Sequence, residues 1–179
     1  MEWNKFSMSN LRLINETTVT SAVRSVNITD VFSADFDIYK IVGNTNFTGE
    51  EYIDFRLINS SGSVVSASNY NNAGLLMQSS TSFSQNRNTN VTKSQYLSYA
   101  GDVEAESGSF TTYVFNPFNS SSYTFLISQG GAKRSANTLI LKSISVLKQT
   151  SSITGFQLLP NTSDVDNASI RTYGLRVDS

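Results

Sequence analysis

Apolar residues recur at every second position along most of the chain, the period of a strand with one face on a core. In "YIDFRLI", Ile53, Phe55 and Leu57 fall on one side and Tyr52, Asp54 and Arg56 on the other. "DIYKIV" is a more continuous apolar run, which suggests a strand buried on both faces. "FTTYVFN", "YTFLIS" and "TLILKSISVL" follow, separated by "NPFNSSS" and "SQGGAKRSAN", whose Gly, Pro, Asn and Ser favour tight turns. The pattern predicts ten to twelve strands, near 11–15, 19–28, 36–43, 52–58, 63–70, 75–83, 94–100, 110–116, 122–128, 138–147, 153–159 and 169–177. No segment sustains a 3.6-residue apolar period, so at most one or two short helical turns are expected, one of them near 29–35. Pro117 and Pro160 fall at predicted turns, where a missing amide donor does no harm.

Many short strands joined by short turns indicate a single-domain, all-β, antiparallel sandwich. The strand count favours a jelly-roll-like arrangement over an immunoglobulin-like one. Residues 1–10 read as an N-terminal arm carrying Trp3 and Phe6 outside any strand pattern, and residues 11–179 as the sandwich. The arm's aromatics are expected to pack on the domain's own body or on an adjacent subunit. The final strand, "SIRTYGLRV", is expected to close the sandwich with Tyr173 bordering the core; the alternative is that its neighbouring edge faces another subunit.

Composition narrows the function classes. Charged residues make up only 15% of the 179, and 13 basic residues nearly balance 14 acidic ones. That balance lacks the clustered cations a nucleic-acid surface requires. Lys133-Arg134 is the densest basic pair and reads as a solvated hairpin tip. No apolar run approaches the roughly 20 residues of a membrane helix, and the first residues lack the apolar core of a signal peptide. With no Cys and no His, the chain has no thiolate nucleophile, no disulfide, no Cys-based metal site and no imidazole proton shuttle.

The remaining chemistry lies in carboxylates, asparagines and tyrosines. Asp102, Glu104 and Glu106, spaced by two, would share one face of a strand. Ca²⁺ would suit them, but a solvated edge or loop accounts for them more simply. Asp164, Asp166 and Asn167 read as a turn before the last strand, because the Gly and distal Glu of a calcium loop are missing. Asp35, Asp37, Glu50, Glu51 and Asp54 could supply a glycosidase acid pair, but nothing in the sequence shows that any two converge, and they read as surface residues. No nucleophile motif or phosphate loop occurs, so no catalytic residue, cofactor or metal is expected. The polar stretch "SFSQNRNTNVTKSQ", residues 82–95, reads as a long surface loop. Its Asn86, Asn88 and Asn90, with neighbouring Tyr96 and Tyr99, form the candidate ligand group, since such loops on rigid sandwiches often carry recognition.

Three runs carry a resemblance: "VFSADFDIYKIVG", "EEYIDFRLINSSGSVVSASNY" and "SSITGFQLLPNTSDVDNASIRTYGLRV". They contain Phe32 and Tyr39, then Arg56, Ser61-Gly62 and Asn69-Tyr70, and finally Ile153, Ala168-Ser169 and Tyr173-Gly174. Over roughly residues 30–70 and 150–177 the chain resembles the small β-sandwich virion proteins of marine tailed bacteriophages, cyanophages among them. The resemblance implies a non-enzymatic component of the virion surface: a head decoration, knob or fibre protein, or a tail accessory. Such a protein assembles in the host cytoplasm, and its expected partners are other virion proteins and copies of itself. Trp3, Phe6 and Tyr173 are the expected subunit contacts. A second reading is a glycan-binding module that reads a host surface, through Asn86, Asn88, Asn90, Tyr96 and Tyr99.

Overall fold

A computed structural model describes residues 10–80, 83–135 and 137–175. The first strands are β1 (Leu11–Val19), β2 (Val26–Ile28), β3 (Ile38–Phe47), β4 (Glu51–Asn59), β5 (Tyr70–Gln78) and β6 (Ser84–Val91). They are followed by β7 (Ser94–Ala100), β8 (Gly108–Phe115), β9 (Thr124–Arg134), β10 (Asn137–Leu147), β11 (Ile153–Leu159) and β12 (Val165–Leu175). All pairings are antiparallel, and the strands form two sheets that pack as an all-β sandwich.

The strand orders are β1-β12-β3-β8-β9-β10-β5-β6 and β2-β11-β4-β7. Setting aside the hairpins β5–β6 and β9–β10, each successive strand lies in the sheet opposite its predecessor. The four-stranded orders β1-β12-β3-β8 and β2-β11-β4-β7 are those of a jelly roll, two Greek keys wound around one core. The two inserted hairpins pair with each other through β10 and β5 and widen the first sheet by four strands, here called the wing.

The frame's core is aromatic at its centre. Phe55 of β4 stacks near Phe156 of β11 at 4.8 Å and meets Phe110 of β8 edge-on at 5.7 Å. Tyr39 and Tyr70 are buried because their hydroxyls are satisfied, as buried polar groups must be. Tyr39 Oη accepts from Ser33 N and donates to Ser33 O, while Tyr70 Oη accepts from Leu57 N and donates to Val65 O.

The wing curls around β7. Tyr52 and Tyr99 pair across β4 and β7 on the face opposite Ile53 and Ser98, turned away from the aromatic core. Tyr99 nevertheless packs with Leu76, Ala132, Leu139 and Leu141 of the wing. Where β9 passes β7 only a hydrogen fits: a Cβ on Gly130 would lie 2.1 Å from Ser98 Oγ and 2.3 Å from Ser109 O. The same seam is lined by small hydroxyls. Ser128 Oγ meets Thr112 Oγ1 at 2.8 Å and donates to Leu97 O, and Ser98 Oγ donates to Ser109 O.

Several expectations need correction. Residues 82–95 are not a loop: 84–91 form β6, an edge strand whose backbone pairs with β5. A strand needing only one partner and one covered side can be polar throughout, which is how edges resist unwanted pairing. Residues 63–69 contribute an isolated bridge at Val64, β5 starting at Tyr70, and 20–28 hold the short β2 and an isolated bridge from Val23 to Val165. Residues 29–35 form no helix; the one 3-10 turn among the described residues is Glu104–Glu106, so Asp102, Glu104 and Glu106 do not share a strand face. β3 alternates, with Tyr39 and Ile41 buried and Ile38, Lys40 and Val42 half-buried. Tyr173 lies on the outer face of β12, half-buried, and both edges of β12 are occupied, by β1 and β3. That strand is therefore sewn into the sheet and has no edge to offer a neighbour. Trp3 and Phe6 lie outside the described residues.

Gly130→Ala is expected to destabilise the protein by about 1–3 kcal/mol, the usual cost of forcing atoms into a filled space. Gly131→Ala, whose added Cβ comes no closer than 3.6 Å to Leu139 O, is the matched control and should be far milder. Urea unfolding midpoints of the two variants test the seam.

Candidate functional site

β4 and β7 fall out of step in the middle of their pairing. Ile53 is opposite Ser98 and Phe55 opposite Ser94, so Gln95, Tyr96 and Leu97 bulge against the single residue Asp54. Tyr96 takes φ +64°, a left-handed conformation that is a genuine outlier for a bulky side chain. Asp54 holds the bulge: its Oδ1 accepts from Tyr96 N at 3.1 Å. Its Oδ2 pairs with Lys93 Nζ at 2.8 Å.

This ion pair is interior, with Asp54 3% and Lys93 7% exposed. Burial drives the Asp54 pKa up to about 6, against the pull of Lys93 and the Tyr96 amide. Lys93 Nζ also donates to Asn161 Oδ1, and Lys93 O accepts from Asn72 Nδ2 of β5. Asn72 Oδ1 in turn accepts from Gln95 N and from Ser145 Oγ. The pair thus ties β4, β7 and the wing to one point.

Beside it three tyrosines meet edge to face. Tyr52 lies 4.9 Å from Tyr96 and 5.3 Å from Tyr99, ring centre to ring centre. Asn88 Nδ2 donates to Tyr96 Oη and to Gln95 Oε1, both at 2.9 Å, and Asn86 hydrogen-bonds the Tyr52 hydroxyl. Burial raises the Tyr52 pKa and pushes that of Tyr99 to about 12, with Arg134 opposing both. Arg134 lies over the Tyr99 ring, 5.5 Å from its centre, and pairs with Glu50 at 3.6 Å.

These groups surround a cleft of about 330 Å³ lined by Glu50, Glu51, Tyr52, Asp54, Lys93, Gln95, Tyr96, Tyr99, Arg134 and Asn161. Of the candidate ligand group, the fold brings together Asn86, Asn88, Tyr96 and Tyr99. Asn90 stands apart: its amide donates to Asn71 and its side chain accepts from Lys148. Tyr99 is only 3% exposed, so its ring is not a free stacking platform.

The acids resolve into structural roles. Burial works against the Glu51 charge, but donation from Thr162 Oγ1 and the amides of Asn161, Thr162 and Ser163 outweighs it and lowers the pKa. Glu51 and Asp54 line one cleft rather than splaying into solvent as expected, and Asp54 is interior rather than a surface residue. Both carboxylates are nonetheless engaged by internal donors. Glu50, Asp102 and Glu106 converge within 4.8 Å. Their charge is met by Lys133 on Glu106, and by Arg134 and Ser135 on Glu50. The hairpin tip bearing Lys133-Arg134 is therefore docked and not merely solvated. Asp164 sits in the turn before β12, and Asp166 within the strand accepts from Asn46 Nδ2.

Sequence reasoning missed Lys93, Gln95 and Arg134. The one signal for Asp54 was an acid on the polar side of an otherwise apolar strand; nothing in spacing pairs it with Lys93. No family model matches the chain, and no curated protein matches it. No helix among the described residues is long and apolar enough to cross a membrane.

A carboxyl whose folded pKa lies above its unfolded value holds its proton more tightly when folded. Asp54 should therefore make stability fall as pH rises from about 4 to about 6, and then level off. Lys93→Met is expected to cost about 3–5 kcal/mol at pH 7, where it strands a buried carboxylate. The loss should shrink at pH 5, where that carboxyl is neutral. Denaturant unfolding of both proteins at the two pH values tests this, and an unchanged difference would count against a charged interior pair.

Proposed function

We propose that the chain is a non-enzymatic surface component of a tailed-phage virion, a head decoration, knob, fibre or tail accessory, that acts through contacts between subunits. The observation that carries this reading is an apolar band on the outer face of the eight-stranded sheet. Cross-strand register lines up Leu13, Tyr173, Lys40, Tyr113, Ile127, Ile144 and Ala73 in one row. The adjoining row holds Leu11, Leu175, Ile38, Phe115, Phe125 and Val146. Leu13 and Ile144 are each 50% exposed and Phe125 43%.

At strand spacing the band spans about 30 Å, a contiguous patch of the kind that marks an interaction surface. The next row, Glu16, Arg171, Val42, Thr111, Gln129 and Lys142, is mainly polar. An apolar centre with a polar border is the anatomy of a protein–protein interface. The occupant is a second copy of the chain, assembling as a homo-oligomer on the particle. The likeness to phage virion sandwiches supports the setting, and the internal donors on Glu50, Glu51 and Asp54 support a non-catalytic reading.

Light scattering of the purified protein should give a defined multiple of the one-chain mass. Ile144→Lys and Phe125→Lys should each shift it toward the monomer with an unchanged β-sheet circular dichroism spectrum. Mass spectrometry of gradient-purified particles from the encoding genome should find the chain. Its absence there, or a monomer unaffected by these substitutions, would overturn the reading.

A further inference from the structure

The band lies on the outer side of the wing; the cleft lies on its inner side and calls for a separate account. We propose that the cleft between β4–β7 and the wing binds one neutral pyranose unit, a hexose or N-acetylhexosamine of a surface glycan. Its volume of about 330 Å³ is at the lower end of the small-molecule range.

The lining selects for hydroxyls. Glu50, Glu51 and Asp54 face Lys93 and Arg134, leaving one net negative charge, so an anion gains nothing overall by entering. A cation gains little either, because the carboxylates already accept from Ser135, Thr162, Lys93 and the Tyr96 amide. What remains unmatched is donor capacity. Tyr99 Oη, Gln95 Nε2 and the terminal nitrogens of Arg134 have no hydrogen-bond acceptor among the described residues, and Tyr96 Oη only accepts, from Asn88. Sugar hydroxyls accept such bonds and return one donor each. The half-buried rings of Tyr52 and Tyr96 add an apolar surface for the C–H side of the ring.

Two features show that the geometry is held at a cost. Tyr96 is fixed in a left-handed conformation, and strain of this kind persists where the surroundings over-determine it, as at ligand sites. The clamp that fixes it is a buried ion pair, whose desolvation an apolar pair would avoid. Neither is required to close a jelly roll. Both are explained if the bulge must present Gln95 and Tyr96 to a ligand.

The test is titration of the intact protein, by saturation-transfer NMR and calorimetry, with glucose, galactose, mannose, N-acetylglucosamine and N-acetylgalactosamine, and with glucuronate as the anionic comparison. At least one neutral sugar should bind at millimolar concentration or tighter. Tyr99→Phe, which deletes one hydroxyl and keeps the ring's packing, and Gln95→Ala should each weaken it about tenfold, as loss of one buried hydrogen bond does. Ile144→Lys, on the other side of the wing, should leave it unchanged, so sugar binding and oligomer formation succeed or fail separately. No response to any of the five neutral sugars would overturn the proposal. So would tighter binding of glucuronate than of all five, or affinity untouched by both cleft variants.

Discussion

The structure depends on how closely β7 approaches the widened sheet. At Gly130 of β9 the Ser98 side chain of β7 and the Ser109 carbonyl of β8 come so near that only a hydrogen fits. Along this seam large side chains are excluded, and Ser98, Thr112 and Ser128 take the interior positions, each with its hydroxyl spent on a carbonyl or on another hydroxyl. Further along the wing Ser143 and Ser145 also point inward. Small interior residues let the wing wrap the β7 edge. That wrapping converts a plain jelly roll into a molecule with an open cleft on one side and a broad sheet face on the other.

The same constraint redistributes apolar surface. In β9 and β10 the inward positions include serines, while Phe125, Ile127, Ile140 and Ile144 point outward. These strands are apolar on both faces, the pattern of a strand covered on both sides. Within one chain the outer face is covered by nothing among the described residues. The energetic logic of an assembly protein is to leave such surface for a neighbour, since burying it later supplies the association free energy.

Fold alone would not separate a capsid component from a sugar-binding domain, because jelly rolls serve both. The distinction rests on sites. The outer band is a matter of area and shape, whereas the cleft rests on a few specific groups: a strained bulge, a buried Asp54–Lys93 pair, and hydroxyl, amide and guanidinium donors without acceptors among the described residues. Under the two proposals, one face serves to hold the chain in an assembly and the other to meet a sugar.

The sequence by itself determined the class and most of the elements. Period-two alternation placed β4, β7, β8, β10 and β11 nearly at their observed bounds, because a half-buried strand writes its environment into every second residue. It could not register β6, whose Asn86 reaches Tyr52 far back in the chain, whose Asn88 meets Tyr96 only because β7 bulges toward it, and whose outer side faces water. It assigned Asp54 to a surface, since alternation tells which side of a strand a residue occupies but not what folds over that side. The wing does, and only its wrapping around β7 brings Lys93, Tyr96 and Arg134 to one cleft. Strand order, the inward serines and the position of Tyr173 between two strands were likewise decided by tertiary structure. Each depends on pairings between segments far apart in the chain, and local hydrophobic period carries no information about partners.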